Sequence, residues 1–225
     1  TDSTRLALAN AILFKGSWAS PFDPSQTAAG SFHVAGGADV QAQLMNAQMN
    51  IPYVEIPNGR IGLLPFAGND LAMVIVLPDD PDGLPTIEAE LTGANITSWI
   101  ASAVVPQNIV PVKLPKLQLT EGFDLVAMLQ ALGVEQAFEV GIANLSGIDG
   151  AMDLFVQDAL HKATITVDEQ GAEATGATGT GVGIGAVPSD PPMLICDHSF
   201  VLMIYDQVTG SVLFMGRISD PTQSS

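Results

Sequence analysis

A strand-like alternation from Leu160 to Asp168 runs into Gly171-Ala-Glu-Ala-Thr-Gly-Ala-Thr-Gly-Thr-Gly-Val-Gly-Ile-Gly-Ala-Val187, a stretch of small residues with no proline and one charge, Glu173. No other feature restricts the fold so strongly. Composition alone would allow a glycine-rich linker. Period two argues against that reading: Ala172, Ala174, Gly176, Thr178, Thr180, Val182 and Ile184 share one face, and Glu173 lies on the other. Without proline, every backbone N–H in the stretch is available to a ladder, and small side chains lower the steric barrier to joining a sheet. Such a segment can exist in two states, outside a sheet or inside one beside the strand that precedes it.

The remainder of the chain supplies sheets. Leu6–Phe14, punctuated by Lys15-Gly16-Ser17-Trp18 and Ser20-Pro21, reads as a central strand. Strands are predicted at 31–34, 40–45, 53–56, 61–66 and 71–77, with Asn58-Gly59 and Gly68-Asn69-Asp70 as turns of an antiparallel meander. Thr86–Ala101 suits helix, broken at Thr92-Gly93. Residues 110–119 read as extended strands bent at Pro111 and Pro115, 123–132 as a helix stopped by Gly133, and 200–205 and 211–216 as a final strand pair. Strands and helices in unequal blocks, with no internal repeat, define an α+β class with mostly antiparallel sheets.

With 225 residues, 47% of them hydrophobic, the chain has ample material for a core. A net charge of -17 leaves no electrostatic footprint for nucleic acid or anionic membrane surfaces. The longest apolar runs, such as Leu71–Leu77, are far short of the ~20 residues of a spanning helix. One cysteine, Cys196, excludes an intramolecular disulfide framework and a multi-cysteine zinc site. Thr1–Arg5 has neither the cationic start nor the apolar stretch of a signal peptide, which leaves open an export signal upstream.

Catalytic chemistry is thinly represented. His33, His161 and His198 lie far apart, with no metalloprotease, nucleophile-elbow or phosphate-loop pattern, and each reads as a hydrogen-bonded structural histidine. Asp79-Asp80 reads as a pair of solvated turn residues and Cys196 as a buried, inert thiol. No catalytic residue, metal site or cofactor is expected.

Leu160-His-Lys-Ala-Thr-Ile-Thr-Val-Asp-Glu-Gln-Gly-Ala-Glu-Ala174 resembles the strand and hinge that precede the reactive-centre loop of serpins, the serine protease inhibitors. Leu194-Ile-Cys-Asp-His-Ser-Phe-Val-Leu-Met-Ile204 and Asp206–Gly216 are similar to the family's C-terminal signature. Leu8–Trp18, Leu114–Leu117 and Asn144–Gly147 also fit, so the resemblance runs from Thr4 to Pro221. It implies a serpin fold of bacterial type, of which residues 1–225 are the C-terminal portion of one domain and 171–193 the reactive-centre loop. The N-terminal helices and strands would be absent, and that missing part becomes a candidate partner. Leu6–Phe14 and Phe200–Tyr205 would then expose apolar faces.

The resemblance assigns roles as well. Asn10 and His161 fall where a buried polar pair holds the main sheet closed. Trp18, Lys116 and Glu169 fall in the cluster where the loop enters that sheet, Lys116 and Glu169 as an ion pair. Glu169, Gly171, Ala172, Glu173, Ala174, Thr175, Gly176 and Ala177 form the hinge, and their small residues fit inhibitory members. The reactive bond is expected at Gly185-Ala186, or shifted toward Val187. The implied partner is a serine protease trapped by a suicide mechanism, outside the cytoplasm in an extracellular or periplasmic setting. The alternative is a non-inhibitory member acting as a binding or structural protein, or an inactive fragment. No lysine or arginine lies between Lys162 and Arg217, so a trypsin-like pocket finds no anchor there, whereas Ile184, Ala186 and Val187 suit an elastase-like or subtilisin-like one.

Overall fold

The computed structural model describes residues 6–171 and 191–223, and the chain divides into two compact units, each described by itself. The larger unit takes residues 15–118 and 166–224, the smaller residues 1–14 and 119–165 together with the final residue.

In chain order the strands are β1 (Leu6–Phe14), β2 (Ala28–Phe32), β3 (Val40–Met49), β4 (Tyr53–Ile56), β5 (Gly59–Pro65), β6 (Leu71–Pro78), β7 (Val110–Pro115), β8 (Leu117–Asp124), β9 (Val156–Val167), β10 (Leu194–Ile195), β11 (Phe200–Asp206) and β12 (Ser211–Ile218). The α-helices are α1 (Leu84–Glu90), α2 (Gly93–Ser102), α3 (Val126–Ala131) and α4 (Ser146–Asp149). The serpin-like α+β class expected from the sequence is present.

The larger unit is built on two sheets, one ordered β12-β11-β6-β5-β4 and the other β10-β7-β3-β2. The first contains the expected meander. Its β4–β5 turn closes one residue earlier than the sequence suggests, on Pro57 and Asn58, because Asn58 accepts a left-handed φ of 61° and releases Gly59 to pair with Ile56. Val74, Val76, Ile61, Leu63, Val201 and Met203 form the core of this sheet, and Leu84 and Ile87 of α1 and Ile96 of α2 pack into it. Thr92 separates the two helices as foreseen. Its hydroxyl accepts from the Asn95 amide and caps α2, satisfying a donor the first turn would otherwise leave unpaired.

Burial at the C-terminus corrects one expectation. Phe200–Tyr205 is buried throughout: β11 lies between β6 and β12, and its Val201, Met203 and Tyr205 join the core that Leu84, Ile87 and Ile96 complete. The exposed apolar side chains belong to β12, at Val212, Leu213 and Met215.

The smaller unit carries a three-stranded sheet ordered β1-β9-β8. β1 runs parallel to β9 with Asn10 opposite His161. Among the described residues β1 pairs with β9 alone, not on both edges as a central strand would, and Ala7–Ala11 are exposed together with Leu13, in line with the apolar face expected on Leu6–Phe14. The helix expected from Phe123 begins only at Val126, since β8 runs on to Asp124, whose carboxylate accepts from the Val126 amide. Gly133, at φ 92°, ends that helical stretch as expected.

Candidate functional site

β9 ends at Val167, and the next four residues form a tightly held turn in the larger unit. Asp168 and Gly171 bridge to one another, and Gly171 also bridges to Ser17. The Trp18 amide donates to the Gln170 carbonyl at 3.0 Å and the Phe22 amide to the Glu169 carbonyl at 2.8 Å. The Trp18 indole N–H donates to the Asp168 carbonyl at 2.9 Å. Its ring stacks on Phe66 with centroids 4.8 Å apart and meets the edge of Phe22 at 6.1 Å. Trp18 thus packs its ring on Phe66 and Phe22 and gives its indole N–H to the turn.

Glu169 is the hub. One carboxylate oxygen receives the Lys116 ammonium at 2.8 Å and the other the Thr27 hydroxyl at 2.8 Å. The ion pair is asymmetric in exposure, 41% for the Lys116 side chain against 11% for that of Glu169. Burial pushes the carboxyl pKa up, but the bonds from Lys116, from its own backbone amide and from Thr27 outweigh that, so it lies below the ordinary 4.5 of glutamate. The expected cluster of Trp18, Lys116 and Glu169 is therefore assembled. Sequence reasoning missed Thr27, Phe22 and Phe66, which no local pattern marks.

Gly171 could be no other residue without rearrangement. Its φ is 104°, and a Cβ there would lie 2.3 Å from the Gly16 carbonyl oxygen and 2.7 Å from the Trp18 nitrogen. Of the expected hinge, Glu169 and Gly171 lie among the described residues. Ala172, Glu173, Ala174, Thr175, Gly176 and Ala177 lie outside the described residues, as do the expected reactive-bond residues Gly185, Ala186 and Val187.

Asn10 and His161 are register partners, but they are not the buried pair expected. Asn10 is exposed and His161 half-buried, beside a surface groove of about 490 Å³ whose walls are Ala9–Ala11 of β1, Gly122–Asp124 of β8 and Leu160–Lys162 of β9. An edge strand with one neighbour cannot cover the pair, which is the physical reason for the difference.

The other two histidines are structural in different ways. The buried His198 ring places Nδ1 3.0 Å from the Asp197 carboxylate and Nε2 2.9 Å from the Pro78 carbonyl. His33 bridges Asp39 and Asp82 at the surface. Asp79 is exposed and pairs with Arg60. Cys196 is fully buried, and burial followed by the Asp197 charge pushes its thiol far above the ordinary range, in keeping with an inert role. Among the described residues no group of His, Cys, Asp and Glu is arranged to hold a metal ion, and no helix is long and apolar enough to cross a membrane.

A mixed-sheet fold with a parallel β1–β9 pair, followed by a glycine turn locked at Glu169, matches one class of proteins throughout. The family model described as serpin (serine protease inhibitor) matches residues 1–221, and the chain belongs to that family. It is 35% identical over 226 residues to macrophage plasminogen activator inhibitor 2 of Mus musculus, covering 98% of this chain and 54% of the relative. The leukocyte elastase inhibitor of Equus caballus is 36% identical over 230 residues, covering 98% and 59%. Among solved structures, a serpin from the trematode Schistosoma haematobium superposes with a TM-score of 0.85 at 23% identity, covering 99% of this chain and 58% of that one. Uncleaved ovalbumin gives 0.81 at 30%, covering 95% and 53%. The chain thus spans a little over half the length of these relatives. They are eukaryotic, and the bacterial-type expectation gains no support from them.

Proposed function

We propose that the protein to which this chain belongs inhibits a serine protease, with the reactive-centre loop expected at residues 171–193 as bait and the β1–β9 pair as the receiving seam. The observation that carries the reading is that parallel pair, formed by Leu6–Phe14 against Val156–Ile165. A segment folding back from Gly171 would run antiparallel to β9 and, placed between the two strands, antiparallel to β1 as well. One parallel ladder would be exchanged for two antiparallel ones, a net gain of backbone hydrogen bonds and buried small side chains.

The target's serine hydroxyl attacks the carbonyl of the bait bond, and its proton passes through the protease's base to the departing amine. If Gly185-Ala186 is that bond, the acyl group is carried by Gly185 and the amine leaves on Ala186. Insertion of the acylated strand then competes with hydrolysis, and trapping requires insertion to be faster. The inhibitor's own residues perform no bond chemistry. The apolar residues around the expected bond favour an elastase-like or subtilisin-like target, and the horse elastase inhibitor among the relatives supports the former. The reading places the protein where it meets such proteases, outside the cytoplasm.

Mixing the protein with elastase, subtilisin and trypsin tests this. The expected result is an SDS-stable complex with one of the first two and a released peptide that begins between residues 183 and 189. Cleavage without a complex would make the segment a substrate and the protein a binder. A cut outside that window, or fast trapping of trypsin, would overturn the specificity.

A further inference from the structure

Away from the Glu169 turn, three connections of the larger unit converge on His33. The hairpin joining β2 to β3 supplies His33, Ser31 and Asp39, the loop between β6 and α1 supplies Asp80 and Asp82, and the connection from β10 to β11 supplies Asp197 and His198. They line a surface cavity of about 370 Å³. The backbone of His33 is fixed, since its amide donates to the Asp197 carbonyl at 2.7 Å. Its ring is not fixed by packing but by charge: Nδ1 lies 3.0 Å from Asp39 Oδ1 and Nε2 3.2 Å from Asp82 Oδ1.

Both of those partners are carboxylates, which only accept. A neutral imidazole has one N–H and could satisfy one of them, leaving the lone pair of its other nitrogen against a negative oxygen. Only the imidazolium fits both contacts. The two arms differ in what else holds them. Asp39 also accepts from the Ser31 hydroxyl at 3.1 Å within its own hairpin. The Asp82 carboxylate has no second hydrogen bond among the described residues.

We propose that His33 is a proton-operated clasp: protonated, it ties the β2–β3 hairpin to the loop before α1, and on losing its proton it keeps Asp39 and releases Asp82. The bonds to Asp82 and then Asp39 outweigh the slight burial of the ring and hold its pKa above the ordinary 6.5 of histidine. A group raised in this way contributes stability that is complete below 6.5 and is lost as pH climbs through the raised value. The surrounding Asp80 and Asp197 charges favour the proton, whereas His198, the bridge partner of His33, opposes it when charged.

The test needs no protease. NMR titration of the three histidine rings from about pH 5 to about pH 9 assigns each midpoint, and amide exchange corrected for intrinsic rates follows the loop at Asp82 and Gly83. The expected result is a His33 midpoint above 6.5 and a loss of loop protection over the same pH range. That loss should be about tenfold for each pH unit by which the clasp raises the midpoint. Asp82→Asn should lower the midpoint and make loop protection independent of pH. A His33 midpoint at or below the ordinary value, flat loop protection, or a response that tracks His198 instead would overturn the proposal. The unmodified protein alone supplies these readouts, so an unfolded variant would not blunt the test.

Discussion

The turn at 168–171 and the seam between β1 and β9 follow one another along the chain, yet they are held in different ways. The turn is over-determined. Each of Asp168, Glu169 and Gln170 has its carbonyl taken by a donor from residues 18–22, the Glu169 carboxylate is filled on both oxygens, and Gly171 has no room for a side chain. The seam is under-determined: among the described residues one parallel ladder joins β1 to its neighbour, and of its matched polar pair Asn10 is exposed and His161 half-buried. The function proposed above would draw on both properties, a fixed pivot from which the strand swings and a ladder cheap enough to open.

The contrast is sharpest under substitution at the pivot. Gly171→Ala should cost the most, about 3–5 kcal/mol, from left-handed strain together with overpacking against the Gly16 carbonyl. Urea unfolding would register this, and a loss below about 1 kcal/mol would show that the turn can relax.

Lys116→Met comes next. The lysine is substantially exposed, so the pair itself contributes only about 1 kcal/mol. Its removal strands a buried carboxylate with Thr27 as remaining side-chain partner, which brings the expected loss to about 1–3 kcal/mol at neutral pH. Because the Glu169 pKa is depressed, that contribution is present above 4.5 and disappears as pH falls through the lowered value. Stability curves of the two proteins should therefore converge in acid. A difference that persists there would mean that Lys116 acts through packing.

Asn10→Ala, on the seam, should change stability by no more than about 0.5 kcal/mol, as expected for an exposed position with its side chain in water. A loss well above 1 kcal/mol in thermal or urea unfolding would show that the seam is held more firmly than its exposure implies.

The same two regions show what a sequence reveals. Lys116 and Glu169 were legible from a resemblance spanning the chain, and so was the opposition of Asn10 and His161. The exposure of that pair was not legible, because it depends on whether β1 has a second neighbour and not on anything within β1. Thr27 lies 142 residues from Glu169, and a lone threonine after a Pro-Ser-Gln turn carries no local signal. The burial of Phe200–Tyr205 was misjudged for a related reason. Continuous apolar strands look alike whatever covers their faces, and the packing of β11 against the α1 and α2 side chains is not written within β11. β10, with two residues, and α4, with four, are too short for any periodicity to mark.

Native-state hydrogen exchange compares pivot and seam in a single experiment. The amides of Trp18 and Phe22, bonded to the Gln170 and Glu169 carbonyls, should exchange only through large-scale opening. Amides of Leu6–Phe14 that bond across to β9 should be at least about tenfold less protected, exchanging through local separation of the two strands. Equal protection in the two sets, or a seam more protected than the turn, would contradict the account of a fixed turn and a seam that opens.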